Sequence, residues 1–389
     1  MAKMLECVGL KKLYPGQSVY SLGSEAEGVS FEVSQGELFA LLGPSGCGKT
    51  TTLRIVGGFV DATAGQILID GSDVTRSHPY NRPTNTVFQS YALFPHLRLG
   101  ANIEYGLKME GVGRVDRRRR AGEALELVGL GGMQERRISE LSGGQQQRAA
   151  LARAIIKQPK VLLLDEPLGA LDLRLRRQMQ DELVHLKRET GTTFIHVTHD
   201  QEEACAIADR IAVMDQGHIV QIDTPEAIYR APRTSYVARF IDAGTIVSGS
   251  STISSESVEV AHSALTIRGP RPASLATQRP VAAVLPHNRV RLALGEVVSD
   301  QDQSVRGVVD RVMFTGSIFQ VYVTVGGSLE IRGDVPIEDM VRNFGVTVPA
   351  GTGVTVSWTA SDVVFVEDTG SAVDLTQDVR GSDPTALTH

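Results

Sequence analysis

The stretch ELFALLGPSGCGKTTTLRIV, residues 37–56, passes from an apolar run through a glycine-rich turn into a helix-forming segment. A strand, a turn closing on Lys-Thr and a helix, in that order, are the setting of a phosphate-binding loop. Gly46 and Gly48 let backbone N–H groups converge on a polyphosphate at a helix N-terminus, where the helix dipole favours negative charge. On this reading Gly43, Pro44, Ser45, Gly46, Cys47 and Gly48 shape the loop. Lys49 reaches the β and γ phosphates, the Thr50 hydroxyl ligates Mg²⁺, and Thr51 adds an α-phosphate contact. Cys47, at the same helix N-terminus, is expected to favour its thiolate and to be reactive.

Working outward, a second apolar strand, Val161–Leu164, ends at Asp165 and Glu166. It delivers Asp165 to the magnesium and Glu166 to the γ-phosphate side, where a carboxylate can polarise an attacking water. A third strand, Thr193–Val197, leads through Thr198 to His199, and His196 within it is read as a core residue. Between the last two strands Leu175, Met179, Leu183 and Leu186 recur at helical spacing, closed by Gly191 as a C-terminal cap. Strands alternating with helices predict an α/β fold with a mostly parallel sheet whose strand ends carry the chemistry. In LSGGQQQR, residues 141–148, Ser142, Gly143, Gly144 and Gln145 open another helix, whose free N–H groups form a second anion site.

Taken together, GPSGCGKT, Gln89, LSGGQ, VLLLDEP, GALD (residues 169–172) and VTHDQEEA (residues 197–204) resemble, in order and spacing, the ATPase subunit of an ABC transporter. The resemblance covers residues 4 to 240. It implies a P-loop cassette with a helical subdomain, binding ATP and Mg²⁺. It implies a homodimer in which ATP on one subunit's loop is capped by the other's LSGGQ. Gln89 then becomes the lid-loop residue sensing the metal and γ-phosphate, and a third metal-side residue with Thr50 and Asp165. Tyr91, Leu93, Phe94 and Pro95, in NTVFQSYALFPHL (residues 85–97), would form part of the socket for two transmembrane permease subunits. His199 would contact the γ-phosphate and orient Glu166, and Tyr14 would stack on adenine. Catalysis would rest on Glu166, His199, Gln89 and Lys49.

The chain has 389 residues, enough for two domains. Formal charge is roughly neutral over the first 240 residues and about seven units negative beyond, with no basic face suited to nucleic acid. The run Arg117–Arg120 reads as a solvated helix face. Three widely spaced cysteines fit a reducing compartment, and no apolar run approaches the ~18 residues of a membrane span. From about residue 243 lysine is absent, and short alternating runs such as FQVYVTVGG announce all-β material.

That region resembles the small OB-like TOBE domain appended to importer ATPases, although Leu285, Pro286 and His287 stand where that family often has Arg-Pro-Glu. The expected domains are therefore 1–240, 241–368 and a disordered tail over 369–389. NTVFQSYALFPHL and LRRQMQDELVHLKRETGTTFIHVTHDQEEA (residues 175–204) most resemble polyamine (spermidine/putrescine) importers. Carbohydrate or ferric-iron import is the runner-up, and a non-transport ABC ATPase is a remote third. The expected place is peripheral, on the cytoplasmic face of the membrane, with a solute-binding protein as an indirect partner.

Overall fold

The computed structural model describes residues 2–169, 171–273, 275, 279–295 and 302–370. From residue 371 on, the expected disordered tail lies outside the described residues. Two compact units divide the chain, Met1–Glu226 and Ala227–His389.

The first unit runs β1 (Lys3–Lys11), β2 (Val29–Ser34), β3 (Leu38–Leu42), α1 (Lys49–Val56), β4 (Ala64–Ile69), β5 (Ser72–Asp73), β6 (Thr84–Val87), α2 (Leu99–Met109), α3 (Arg114–Leu127), α4 (Gly143–Ile155), β7 (Val161–Asp165), α5 (Leu173–Thr190), β8 (Thr193–Thr198), α6 (Gln201–Ile207), β9 (Arg210–Asp215) and β10 (His218–Asp223). The central sheet has the order β10-β9-β3-β8-β7-β6. Its pairs are parallel from β9 to β6, and β10 joins antiparallel at the edge.

Every residue of β3, β7 and β8 is buried, as parallel strands covered on both faces require. Alternation sends Phe39, Leu41, Leu163, Ile195 and Val197 to a core shared with Leu53 and Ile55 of α1. Leu38, Leu162, Leu164 and Phe194 go to a second core with α2 to α5. A separate antiparallel sheet, β2-β1-β4-β5, covers the α1 side.

Register then decides where chemistry can sit. Leu42 lies opposite Thr198, Asp165 opposite Val197, and Val87 opposite Leu164. Gly43, His199, Glu166 and Gln89 therefore all follow strand ends at one carboxyl edge of the sheet, where ligands bind in open α/β folds.

The helices follow their sequence patterns. Leu99, Ile103 and Leu107 of α2 are buried at spacings of four. In α5, Met179, Leu183 and Leu186 are buried, and Gly191 ends the helix at φ 63°, the left-handed conformation that glycine adopts without strain. The arginine run of α3 departs from a wholly solvated face. Arg118 and Arg119 are exposed, whereas Arg117 bonds Glu104 at 2.8 Å and Arg120 donates to the Ile156 carbonyl at 2.7 Å.

Arg82, nearly buried, donates to the carbonyls of Ile55 and Val56 at 2.8 Å each, and to those of Thr75 and Ser77. It thereby caps the far end of the helix that begins at the glycine-rich turn. Among the described residues no helix is long and apolar enough to cross a membrane.

Among the described residues of the second unit the paired strands run antiparallel, and one isolated parallel bridge joins Thr234 to Glu367. Two three-stranded sheets accompany a five-stranded one, in which Gly353–Thr359 pairs with Asp302–Phe314, followed by Ile318–Val325 and Leu329–Pro336. Their inward faces enclose a core around Trp358. His287 is turned inward as well: its Nε2 lies 3.2 Å from Asp242, which also takes an ion pair from Arg332.

Candidate functional site

The turn after β3 is built around its glycines. At Gly48, φ is 102°, and a β-carbon there would come within 2.7 Å of the Ser21 carbonyl. At Gly43 a β-carbon would lie 2.5 Å from the Met214 carbonyl and 2.6 Å from Cys47 Sγ. The first intrahelical bond of α1 runs from Thr52 N–H to Gly48 O. The N–H groups of Lys49, Thr50 and Thr51 therefore precede any helical acceptor and point toward the turn.

Lys49 is only 5% exposed. Its Nζ donates to the carbonyls of Gly43 and Pro44 at 2.7 and 2.8 Å, and among the described residues no carboxylate lies within ion-pair distance of it. A buried ammonium compensated only by two carbonyls and the Cys47 sulfur at 3.8 Å fits an anionic phosphate.

Cys47 departs from the sequence expectation. It is 3% exposed, tucked under Gly43, and burial pushes its thiol above the usual range although Lys49 pulls the other way. Helix-dipole stabilisation of a thiolate loses to desolvation when the sulfur points inward.

Thr50 Oγ1 donates to Asp165 Oδ1 at 3.3 Å across 115 residues of sequence. Asp165 is 9% exposed, and burial raises its carboxyl above the ordinary range while the Thr50 bond opposes that shift. No cluster of three or more His, Cys, Asp or Glu among the described residues forms a metal cage. The pair Thr50–Asp165 instead offers the sparse oxygen ligation that Mg²⁺ shares with phosphates and water.

Next in sequence, Glu166 has φ 46°, left-handed for a residue with a side chain, and its N–H is held by Val197 O at 3.1 Å. Its Oε1 lies 3.5 Å from His199 Nδ1. The ring of His199 is more than half exposed while the Glu166 carboxylate is three-quarters covered.

Gln89 is exposed beyond β6. The loop after it is held from the helical side by two residues that the sequence reading passed over. Asn102 of α2, fully buried, accepts from Phe94 N–H at 2.8 Å and donates to the carbonyls of Phe94, Leu97 and Arg98. Arg153 of α4 donates to the carbonyls of Ala92 at 2.7 Å and Tyr91 at 3.2 Å. Both of those residues are left-handed, with φ 62° at Tyr91 and 47° at Ala92.

The expected socket is only partly outward-facing. Tyr91 and Leu93 pack against the core, whereas Pro95 is exposed and Phe94 contacts Tyr105 at 4.7 Å between ring centroids.

Ser142 caps α4: its hydroxyl accepts from Gln145 N–H, and Gln145 Oε1 accepts from Ser142 N–H at 3.0 Å. This capping box satisfies two donors and leaves those of Gly143 and Gly144 for an anion. Ser142 and Gly143 are exposed. Tyr14 sits in a loop closed by the Lys12–Leu22 bridge, half-buried, with Lys12 Nζ 4.9 Å from its ring centre. The structure thus brings Lys49, Thr50, Asp165, Glu166 and His199 to one strand-end region and leaves Ser142 on a separate, outward face.

Comparison with known proteins follows the same lines. Residues 26–169 match the family described as ABC transporter. A "Spermidine/putrescine import ATP-binding protein PotA" of Rubrobacter xylanophilus is 55% identical over 223 residues, which is 57% of this chain and 59% of that protein. The protein of the same name from Nostoc sp. is 44% identical over 345 residues, covering 87% of this chain and 88% of that one. Among solved structures, the ATP-binding cassette MJ0796, a dimer in a post-hydrolysis state bound to ADP and Pi, is similar at TM-score 0.50 and 30% identity. The similarity covers 57% of this chain and 99% of that one.

Proposed function

The chain belongs to the ABC transporter family of ATP-binding subunits, and from that premise we propose that it hydrolyses ATP to drive import of a polyamine, spermidine or putrescine. The observation that carries the hydrolytic half is the convergence of Lys49, the Thr50–Asp165 bond and the Glu166–His199 contact on one sheet edge. The solute rests on the two relatives named above, one of them similar over nearly nine-tenths of both chains.

In this reading Lys49 and the N–H groups of Lys49 to Thr51 bind the phosphates. Gly43, Pro44, Ser45, Gly46, Cys47 and Gly48 give the loop its curvature. Thr50, Asp165 and Gln89 hold Mg²⁺, which supplies neutralising charge to the phosphate oxygens. Glu166 takes the proton of the attacking water, and His199, 3.5 Å away, keeps that carboxylate facing the reaction. Tyr14 stacks on the adenine.

Ser142, Gly143, Gly144 and Gln145, at the start of α4 where Ser142 and Gly143 are exposed, serve the nucleotide of a second copy. The active form is therefore a homodimer, as MJ0796 is in its ADP-bound structure. Phe94 and Pro95 dock one of two permease subunits at the cytoplasmic face of the membrane, and a solute-binding protein feeds the permease.

Uptake of labelled spermidine and putrescine tests this in cells that depend on the chain. Uptake should fail in Glu166→Gln cells, and in Pro95→Asp cells whose purified subunit keeps its ATPase. A charge buried in a subunit contact costs several kcal/mol by order of magnitude. Intact polyamine uptake with collapse of sugar or iron uptake would move the solute and leave the ATPase reading standing.

A further inference from the structure

His196 sits midway along β8, opposite Ala40 and Leu164, with 0% of its surface exposed. Two-residue alternation puts it on the same face of the strand as Phe194 and Thr198. Its Nε2 lies 2.6 Å from Glu203 Oε1, and Thr198 Oγ1 donates to Glu203 Oε2 at 2.9 Å. Glu203, in the first turn of α6, is itself 3% exposed.

The bonds continue around the turn. Glu203 N–H donates to Asp200 Oδ1 at 3.0 Å, and Asp200 N–H donates to Thr198 Oγ1 at 3.0 Å. Both neighbours of His199 are thus tied to Glu203, one through its carboxylate and one through its amide. His199, more than half exposed, is aimed by the residues on either side of it. A pocket of about 80 Å³ lies among Glu166, Thr198, His199 and Glu203, so the buried bonds and the reacting pair border the same space.

His196 is an expensive way to fill a central strand. Its Nδ1 is buried without a partner, and an unpaired buried polar atom carries a desolvation penalty that an aliphatic side chain would avoid. Local rules are broken in this way mostly where function requires it.

We infer that His196 is a positioning residue for hydrolysis: through Glu203 it fixes the Thr198–Asp200 turn and so holds His199 against Glu166. The inference rests on the roles given above to Glu166 and His199.

The test uses the full-length chain and reads ATP turnover, ATP affinity and melting temperature together. His196→Phe should lower kcat about tenfold or more while the Kd for ATP changes less than about twofold, the pattern of a group that acts only in the chemical step. His196→Gln, whose amide reaches the Nε2 position, should recover kcat to within about threefold of wild type. The double variant His196→Phe with Glu203→Leu replaces the pair by apolar groups. It should regain part of the melting temperature lost in His196→Phe, because it removes the buried carboxylate left without its imidazole and strands only the Thr198 hydroxyl, and kcat should stay low.

Recovery of kcat along with melting temperature in the double variant would show that His196 only packs. So would an ATP affinity that weakens in step with kcat in His196→Phe. MgATP turnover in wild type and its loss in Glu166→Gln check the hydrolytic reading separately. A wild-type chain without turnover would overturn both that reading and this inference.

Discussion

Arg176 Nη1 lies 2.9 Å from Asp200 Oδ2 while its Nη2 donates to the Leu171 carbonyl at 3.2 Å. One guanidinium therefore joins the turn carrying His199 to the segment that leads into α5. Both side chains are about a quarter exposed, and an ion pair of that kind contributes no more than about 1 kcal/mol. Geometry is the larger effect. Arg176→Met should lower kcat about tenfold with little loss of melting temperature and unchanged ATP affinity, measured by steady-state kinetics and nucleotide titration. Arg176→Lys keeps the charge without the planar fork and should fall between. Wild-type turnover in the Met variant would dismiss the link.

Glu166→Gln should bind MgATP with near-normal affinity and lose turnover by about a thousandfold, because the carboxylate serves the water and not the nucleotide. Trapped ATP should then hold two subunits together. Size measurement with and without MgATP reads this directly, and a monomer with full hydrolysis would contradict the assignment.

Asp165 predicts a pH effect with a definite sign. Its carboxyl is raised by burial, against the pull of the Thr50 bond, so the folded chain holds that proton more tightly than the unfolded one. An acid shifted upward costs nothing below its ordinary value. The penalty grows as pH climbs from there to the raised value and is complete above it. Asp165→Asn should therefore raise the nucleotide-free melting temperature at neutral pH, and the gain should vanish on acidification below the ordinary Asp range. The same substitution should remove the extra stabilisation given by MgATP over ATP alone. Melting curves across pH, with and without Mg²⁺, decide both points. A nucleotide-free melting temperature that falls at neutral pH would refute the sign.

Thiol labelling should separate the cysteines by position. Cys205 is exposed although partial burial pushes its thiol upward too, whereas Cys7 and Cys47 are buried outright and their thiols are also pushed upward. A maleimide at neutral pH should modify Cys205 first, with turnover intact. Cys47 should react at least about tenfold more slowly, and more slowly still with ATP bound. Peptide mapping over time tests the order, and rapid labelling of Cys47 would mean that the turn opens far more than its packing suggests.

Much of this was legible in the sequence, for identifiable reasons. Lys49, Asp165 and His199 each follow an apolar strand, so alternation of strands and helices was enough to bring them to one edge. The α5 cap at Gly191 and the buried Met179, Leu183 and Leu186 followed from spacing alone. Bonds that a side chain makes to a group distant in sequence carry no periodic signal. Arg153 reaches Ala92 from 61 residues away, and Arg176 reaches Asp200 from 24. His196 and Glu203 are only seven residues apart, and here a signal existed: a polar residue on a buried face shortly before a helix start that offers a carboxylate. Cys47 was misjudged because the helix-dipole argument says where a backbone lies and not which way a sulfur points.

The left-handed backbone at Glu166 has a bearing on how such a chain can change over time. A residue with a side chain in that conformation costs on the order of 1–3 kcal/mol relative to one that adopts it freely, so folding alone would select glycine or asparagine there. The role in turnover proposed for Glu166 supplies a reason for glutamate there that the backbone does not. In a lineage that kept the cassette for nucleotide binding and no longer needed the reaction, position 166 should be among the first to drift, and the drift should leave a more stable protein.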